Sequence, residues 1–565
     1  MNKKWLILSL AAMMVATACS NGNDGNTNSG SSNPPASGTD APDNSEKPLE
    51  KATFTIFNAA GAAKDINTNE TTIGKILEDE TGVNFRLEHL VGDINTKIGT
   101  MIAANDYPDV LIPDAAIDKI LDAGAFIPLN DLIEEHGPNI QRVYGPYFNQ
   151  MTAEDGNIYF LPFSNLVNEF IPDPNIGQGA FWVQRRVLKE AGYPEIRKLD
   201  DYFNLLRDFR AKHADEDLTG FVALTHDWRF FATSNPPMHL EGYPNDGNVI
   251  VDMDTHEAKV YAATDSTKRW LKALNELNAE GMFDKASFVD NYDQYLAKLT
   301  SGKVLGFFDY GWQVGNATNA LRDAAIQDPS KDDYRYFPLP VTFDGGKDQY
   351  LDPPGFVKNR GIGITVSAKD PARIIQYFDH LLTDEKQALV MWGIEGETYE
   401  RNEEGRMYRT EEQINMIDEA FNESFGFKYY SWNWPRYGGG STFADGNSLG
   451  PGEQPEVFQM SLTEGDKHIL EQYGVQTYSE MFSAPDERPW FPAWGIPKEQ
   501  GSPQQIWETQ REELTKKYFP RLVLSTPAEF EAIWTEFTNE FGKLDTEAYE
   551  KWTTEEVKKL IEQNS

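Results

Sequence analysis

Cysteine is all but missing from this chain: Cys19 is the only one among 565 residues. A single thiol excludes an intrachain disulfide and any zinc or iron–sulfur site built from cysteines. The eight histidines are scattered, and no HExxH pair occurs. His256-Glu257 lacks the second histidine that a helical zinc site needs. Basic side chains are in deficit, 51 Lys and Arg against 89 Asp and Glu, for a net charge of −38. Phosphate backbones repel such a surface, which argues against nucleic acid as a partner. No GxxxxGK[ST] loop is present, and no GxGxxG opens a helix after a strand, so nucleotide phosphates have no evident cradle. Gly438-Gly439-Gly440 reads as flexible backbone.

Catalytic constellations are missing too. Residues 446–450 spell GNSLG, a GxSxG string around Ser448. A nucleophile elbow needs a buried strand before it and a helix after it. Here no apolar run precedes the string and Pro451-Gly452 follows. With 89 acids, carboxylate pairs arise by chance and do not identify a glycosidase. The loop 213–220 sets Asp215 and Asp217 in alternation, as calcium loops do, but no late acid follows Gly220. Hard cations want six to eight oxygens. Neither a metal nor a cofactor is expected.

What is present begins with length, enough for two to four folding units. Hydrophobic residues make up 40% and charged ones 25%, so a sizeable core is available. Lys3 and Lys4 precede an apolar run over 5–18. At about 14 residues it falls short of the roughly 20 that span a bilayer, and it reads as a secretory signal. Ala16-Thr17-Ala18-Cys19 resembles the lipobox of bacterial lipoproteins, with Ala16 where that motif usually has Leu. The resemblance implies cleavage after residue 18 and lipidation of Cys19. Residues 20–48 are rich in Ser, Gly, Asn, Asp and Pro. They offer too little apolar surface to offset ordering entropy, so 19–50 reads as a lipidated cysteine and disordered tether.

From residue 51 the pattern alternates. Ala52, Phe54 and Ile56 have strand period, and 71–80 carries Ile73, Ile76 and Leu77 on a helical face with Gly82 as its stop. Residues 83–87 read as a strand, 93–105 as a helix and 110–112 as a buried strand. This βαβαβ order implies a largely parallel sheet with helices on both faces. The same grammar returns in the helix opened by Asp265 or Ser266, the strands 304–308 and 362–366, the helix after Asp370-Pro371, and the mostly helical 527–563. Between 399 and 507 it loosens into Gly, Pro and Trp, a signature of functional loops. Thirteen tryptophans are the positive signal. Flat rings rimmed by polar groups suit the C–H face and hydroxyl rim of a sugar.

Several ordered segments resemble those of the extracellular solute-binding lipoproteins of bacterial carbohydrate ABC importers, family 1, in its long LplA-like branch. They are 77–83 (LEDETGV), 107–110 (YPDV), 124–133 (GAFIPLNDLI), 155–162 (DGNIYFLP), 187–192 (VLKEAG), 377–385 (YFDHLLTDE) and 393–397 (GIEGE). The resemblance implies an α/β, type II periplasmic-binding-protein-like fold. Its two lobes would be 51–165 plus 360–428 and 166–359 plus 429–565, hinged around a cleft. It also implies a monomer on the outer face of the cytoplasmic membrane, held by its lipid alone. That monomer would close on an oligosaccharide and deliver it to permease subunits served by a cytoplasmic ATPase. Cleft residues are expected at Asn58, Asp65, Trp182, Arg185, Trp228, Tyr310, Trp312, Arg360, Trp392, Glu395, Trp432, Trp434 and Arg436. Arg185, Arg360 and Arg436 are the candidates for gripping a uronate. Two other readings are an extracellular carbohydrate-active enzyme and a binding protein for a non-sugar solute.

Overall fold

The computed structural model describes residues 50–564 except 62, 164, 354, 431 and 432. The signal segment, Cys19, the tether and Trp432 lie outside the described residues.

Ten strands form two sheets. They are β1 (Ala52–Asn58), β2 (Ile66–Asn67), β3 (Val83–His89), β4 (Val110–Ile112), β5 (Leu161–Phe163), β6 (Gly179–Gln184), β7 (Thr219–Val222), β8 (Val304–Tyr310), β9 (Tyr336–Leu339) and β10 (Val357–Ile364). The first sheet runs β2-β3-β1-β4-β10-β5 and the second β9-β6-β8-β7. In β1, Phe54 and Ile56 enter one core with Ile73, Leu77 and Phe85, while Phe57 enters another with Ile98, Leu111 and Ile120. That is the consequence of a two-residue period on a sheet covered on both faces. The helices that cover it are stopped as the sequence suggests. Thr71 accepts from Gly74 N to start Thr72–Thr81, and Gly82 closes it at φ 70°. Asp93 caps Ile94–Ala104, and Asp370 caps Pro371–Leu381.

The sheets are less parallel than the sequence implies. β1 pairs in parallel with β3 and β4, and β7 with β8. In contrast, β10 is antiparallel to β4 and β5, and β6 is antiparallel to β8 and β9. The antiparallel strands β6 and β10 are entered straight from connections between the two cores, with no crossover helix to return the chain in parallel.

The second sheet organises its own core, with Phe181, Trp270, Leu274, Phe307 and Phe337 at its centre. The helices Pro503–Leu524, Phe530–Phe541 and Thr546–Gln563 pack there through Trp507, Phe519, Phe537 and Val557. The helix Asp265–Ala279 is capped by Thr264, one residue earlier than expected. The first core does not end at 428. Tyr429, Tyr430, Trp434, Tyr437 and Val457 all belong to it, so 429–457 packs in the first core and the chain from 462 onward in the second. The reason is a set of aromatic contacts, with Trp434 edge-on to Phe85 at 5.2 Å and stacked on Tyr430 at the same distance. The chain passes between the cores after Val167, after Tyr350 and after Val457.

Candidate functional site

Both sheets present the same edge to these connections. Asn58, His89 and Ile112 end the parallel strands of the first sheet, and β10 enters beside them. Val222 and Tyr310 end those of the second, and β6 begins at Gly179 opposite Tyr310. Gly177 O and Gln178 O accept from Trp312 N and Gly311 N, so the incoming connection lies against the residues just after β8. Only glycine fits at 311, because a Cβ there would stand 1.7 Å from Ile176 O. In open α/β sheets, ligands bind outside the carboxyl ends of the strands.

Two of the expected tryptophans stand open at this edge. Trp228 is 52% exposed and Trp312 55%. Their rings lie 5.9 Å apart and within 5° of parallel, and Phe231 joins them at 5.9 and 6.2 Å. The Arg229 guanidinium sits 4.5 Å from the Trp228 ring and 4.1 Å from Tyr292, which pins the Trp228 plane. Beneath them Tyr310 is buried, 5.1 Å from Phe231 and 6.4 Å from Trp312. Its hydroxyl meets His239 Nε2 at 3.0 Å, and His239 Nδ1 meets Tyr243 O at 3.1 Å. Burial pushes His239 down to about 3, so the imidazole is neutral and bonds through both nitrogens. Asp309 is pushed up to about 7 by burial, although Tyr295 Oη, Gln313 Nε2 and Tyr310 N all donate to it. The platform therefore rests on a floor of mutually hydrogen-bonded polar groups.

Three other tryptophans expected in the cleft are core residues. Trp182 donates to Asp309 O at 3.0 Å, Trp392 to Ser448 O at 3.1 Å and Trp434 to Tyr429 O at 2.9 Å, and all three are buried. An indole whose one donor is satisfied by a carbonyl packs as a hydrophobe. Arg185 is also a correction. It is buried, its Nη1 shared between the two Asp332 oxygens at 2.9 and 3.0 Å and its Nη2 donating to Asp466 Oδ1 at 2.5 Å. Glu395 faces Arg401 at 3.4 Å on a cavity of about 570 Å³ shared with Tyr399 and Asp445, away from the tryptophan pair.

On the first sheet, the Asn58 side chain turns back on its own loop, accepting from Ala60 N, Gly61 N and Asn433 Nδ2. Asp65 accepts from His89 N at 2.8 Å and keeps its carboxylate largely exposed. Arg360 lies on β10 where the connection enters the first sheet, paired with Asp114 at 2.8 Å and 5.8 Å from the Trp494 ring. Burial lowers Arg436, partly offset by Glu453 and Tyr144. The carboxyl edge of the second sheet thus carries Trp228 and Trp312, and that of the first carries Asn58, Asp65 and Arg360. Phe231 was missed, although its place beside Trp228 in the sequence was a usable signal.

Among the described residues no three His, Cys, Asp or Glu side chains converge on a cation site. Two acids of the loop 213–220 face basic side chains: Asp217 pairs with Lys303 at 2.7 Å, and Glu216 with Arg186 and His213, each at 2.9 Å. Ser448 is buried, with its backbone N–H donating to Gln454.

The profile of the family described as bacterial extracellular solute-binding protein matches residues 66–388. Among curated relatives, the fructooligosaccharide ABC transporter substrate-binding protein FusA of Streptococcus pneumoniae serotype 4 is 27% identical over 290 residues, 48% of this chain. The match spans about half, 52%, of that relative. The lipoprotein LipO of Bacillus subtilis is 22% identical over 431 residues, covering 71% of this chain and 74% of LipO. The structure of S. pneumoniae FusA in complex with kestose superposes with a TM-score of 0.64 at 18% identity, over 90% of this chain and 99% of that one. That likeness establishes the fold, with two lobes of the periplasmic-binding-protein kind. With more than half its length matched by the profile, the chain belongs to the bacterial extracellular solute-binding protein family.

Proposed function

We propose that this protein captures an oligosaccharide between its two cores and delivers it to the permease of an ABC importer. The observation that carries the reading is the pair of parallel, half-exposed indoles, Trp228 and Trp312, at the carboxyl edge of the second sheet. Flat apolar faces of this size serve sugar C–H surfaces, and neighbouring carboxylates and amides serve the hydroxyls. The names of FusA and of its kestose complex support the sugar class. Binding drives closure only where the closed form gains contacts from both sides. Asn58, Asp65 and Arg360 supply the facing side in this reading. The lobes are then 50–170 with 357–458, and 176–350 with 462–564. The burial of Ser448, the one nucleophile its sequence string suggests, favours a binding role over an enzymatic one.

A thermal-shift panel of neutral and uronic oligosaccharides tests the reading. A ligand at 100 times its Kd adds about 2.7 kcal/mol to stability, so a true ligand raises the melting temperature visibly. A broad panel that produces no shift refutes the carbohydrate assignment.

We further propose that Cys19 carries the lipid that holds the protein outside the cytoplasmic membrane. One acyl chain gives only marginal membrane binding, whereas multiple chains anchor stably. Cys19→Ala is expected to move the protein from the membrane fraction to the medium and to abolish incorporation of labelled palmitate. Unchanged fractionation would count against the anchor.

A further inference from the structure

The connection between β9 and β10 carries a polar group that the site described so far does not use. Tyr350 belongs to the second core and Phe356 to the first, so the chain changes cores over 351–355. Asp352 sits in this stretch, and its Oδ1 is buried without a hydrogen-bond partner. Two side chains of the second core act on its charge, Asp246 and Arg488. Arg488 is itself only 7% exposed. It gives one nitrogen, Nη2, to Asp246 Oδ2, while Nε and Nη1 are buried with no acceptor. Asp246 also accepts from Trp490 Nε1 at 3.3 Å and Ala493 N at 2.8 Å.

Unpaired buried polar atoms are rare in native proteins and call for a reason. Here they come as a matched set: two N–H donors and one carboxylate oxygen, within electrostatic reach of each other. Hydrogen bonds link the neighbourhood to Tyr310, the phenol beneath the aromatic platform: Asn235 Nδ2 donates to Tyr310 Oη and to Oδ1 of Asn245, the residue before Asp246, each at 3.3 Å. Phe491, three residues past Arg488, stands 3.2 Å from where a Cβ on Gly355 would be, so the turn that carries Arg488 lies against this connection. Desolvation beside Asp246 also pushes the Asp352 carboxyl up to about 8, the mark of an acceptor short of donors.

We propose that Asp352 and Arg488 are the hydroxyl-reading pair at the floor of the site, Asp352 Oδ1 accepting from one hydroxyl of a bound sugar and the guanidinium edge donating to its neighbour. This rests on the oligosaccharide reading and specifies its polar half. Rings alone hold any sugar with an accessible C–H face. A site whose buried polar groups are left unpaired by the wrong ligand discriminates far more sharply. Because Asp352 lies in the connection between cores, a hydroxyl bound there also ties the ligand to the segment on which closure turns.

The test is calorimetric titration of kestose, malto-oligosaccharides and alginate oligosaccharides into wild type, Asp352→Asn, Asp352→Ala and Trp312→Ala. For the glycan that binds wild type, both Asp352 variants are expected to weaken Kd about 10- to 100-fold with the melting temperature unchanged or raised. Mono-deoxy analogues of that glycan supply a readout that a structural role would not move. One of them should lose affinity for wild type but not for Asp352→Ala. If Trp312→Ala weakens binding while the Asp352 variants match wild type and no deoxy analogue is discriminated, the hydroxyl-reading pair is wrong and the platform stands. If no glycan binds wild type, both readings fall.

Discussion

Trp312→Ala is expected to weaken oligosaccharide binding by about 2 kcal/mol, roughly thirtyfold in Kd, while leaving the melting temperature within a degree or two of wild type. The separation of the two effects follows from exposure. At 55% exposed, Trp312 has little buried area to lose on truncation, yet its free face is what a sugar ring would cover. Trp228→Ala should behave similarly, since Trp228 is 52% exposed. The rings touch each other at 5.9 Å, so the double variant should fall short of the sum of the single losses. Trp182→Ala supplies the contrast. It opens a cavity beside Phe307 and removes the donor to Asp309 O, so it should cost about 3–5 kcal/mol of stability. Titration calorimetry and thermal melts on the three single variants decide the matter. Equal Kd values for Trp312→Ala and wild type would remove the platform from the binding site.

The same contrast shows how far the sequence could be read. Period and caps located β1, β3, β4 and the helices between them, because burial on one face repeats locally. They could not say which face of a tryptophan meets solvent. Trp182 lies within β6 and Trp312 just after β8, yet one packs by Phe307 and donates to the Asp309 carbonyl and the other opens to water. The irregular segment after 428 looked like loop because its order is tertiary. Tyr437 Oη donates to Asp384 at 2.6 Å, and Gln387 Oε1 accepts from Tyr437 N at 3.0 Å, and neither bond has a local signature. Asp352 was passed over for a similar reason. In sequence it is one acid among 89, and only its orphaned oxygen beside Arg488 sets it apart.

Asp466→Asn is expected to be the most destabilising polar substitution described, at about 3–5 kcal/mol, without a direct effect on ligand affinity. Asp466 holds two cations that lie far off in sequence. Arg185 Nη2 is 2.5 Å from its Oδ1 across 281 positions, and Arg335 Nη1 is 3.0 Å from its Oδ2. It also accepts from Thr463 N and Oγ1, the cap that starts the helix Glu464–Tyr473 where the chain has just rejoined the second core. Neutralising it leaves two buried guanidinium groups to share Asp332 and weakens the side-chain half of the capping box, while Thr463 Oγ1 still accepts from the backbone N–H of 466. Burial alone would raise the Asp466 carboxyl, but Arg185 and Arg335 override it and hold it far below the usual carboxylate range. The sign of the pH dependence follows. A carboxyl depressed in the folded state contributes stability that is complete above its unfolded value, near 4, and is lost as pH falls toward the folded one. The gap between wild type and Asp466→Asn in urea unfolding should therefore be widest at neutral pH and should narrow below pH 4. Arg185→Met should reproduce the loss of stability and leave sugar affinity intact. A variant that folded like wild type but no longer bound sugar would return Arg185 to the ligand site, where its place in the sequence had suggested it.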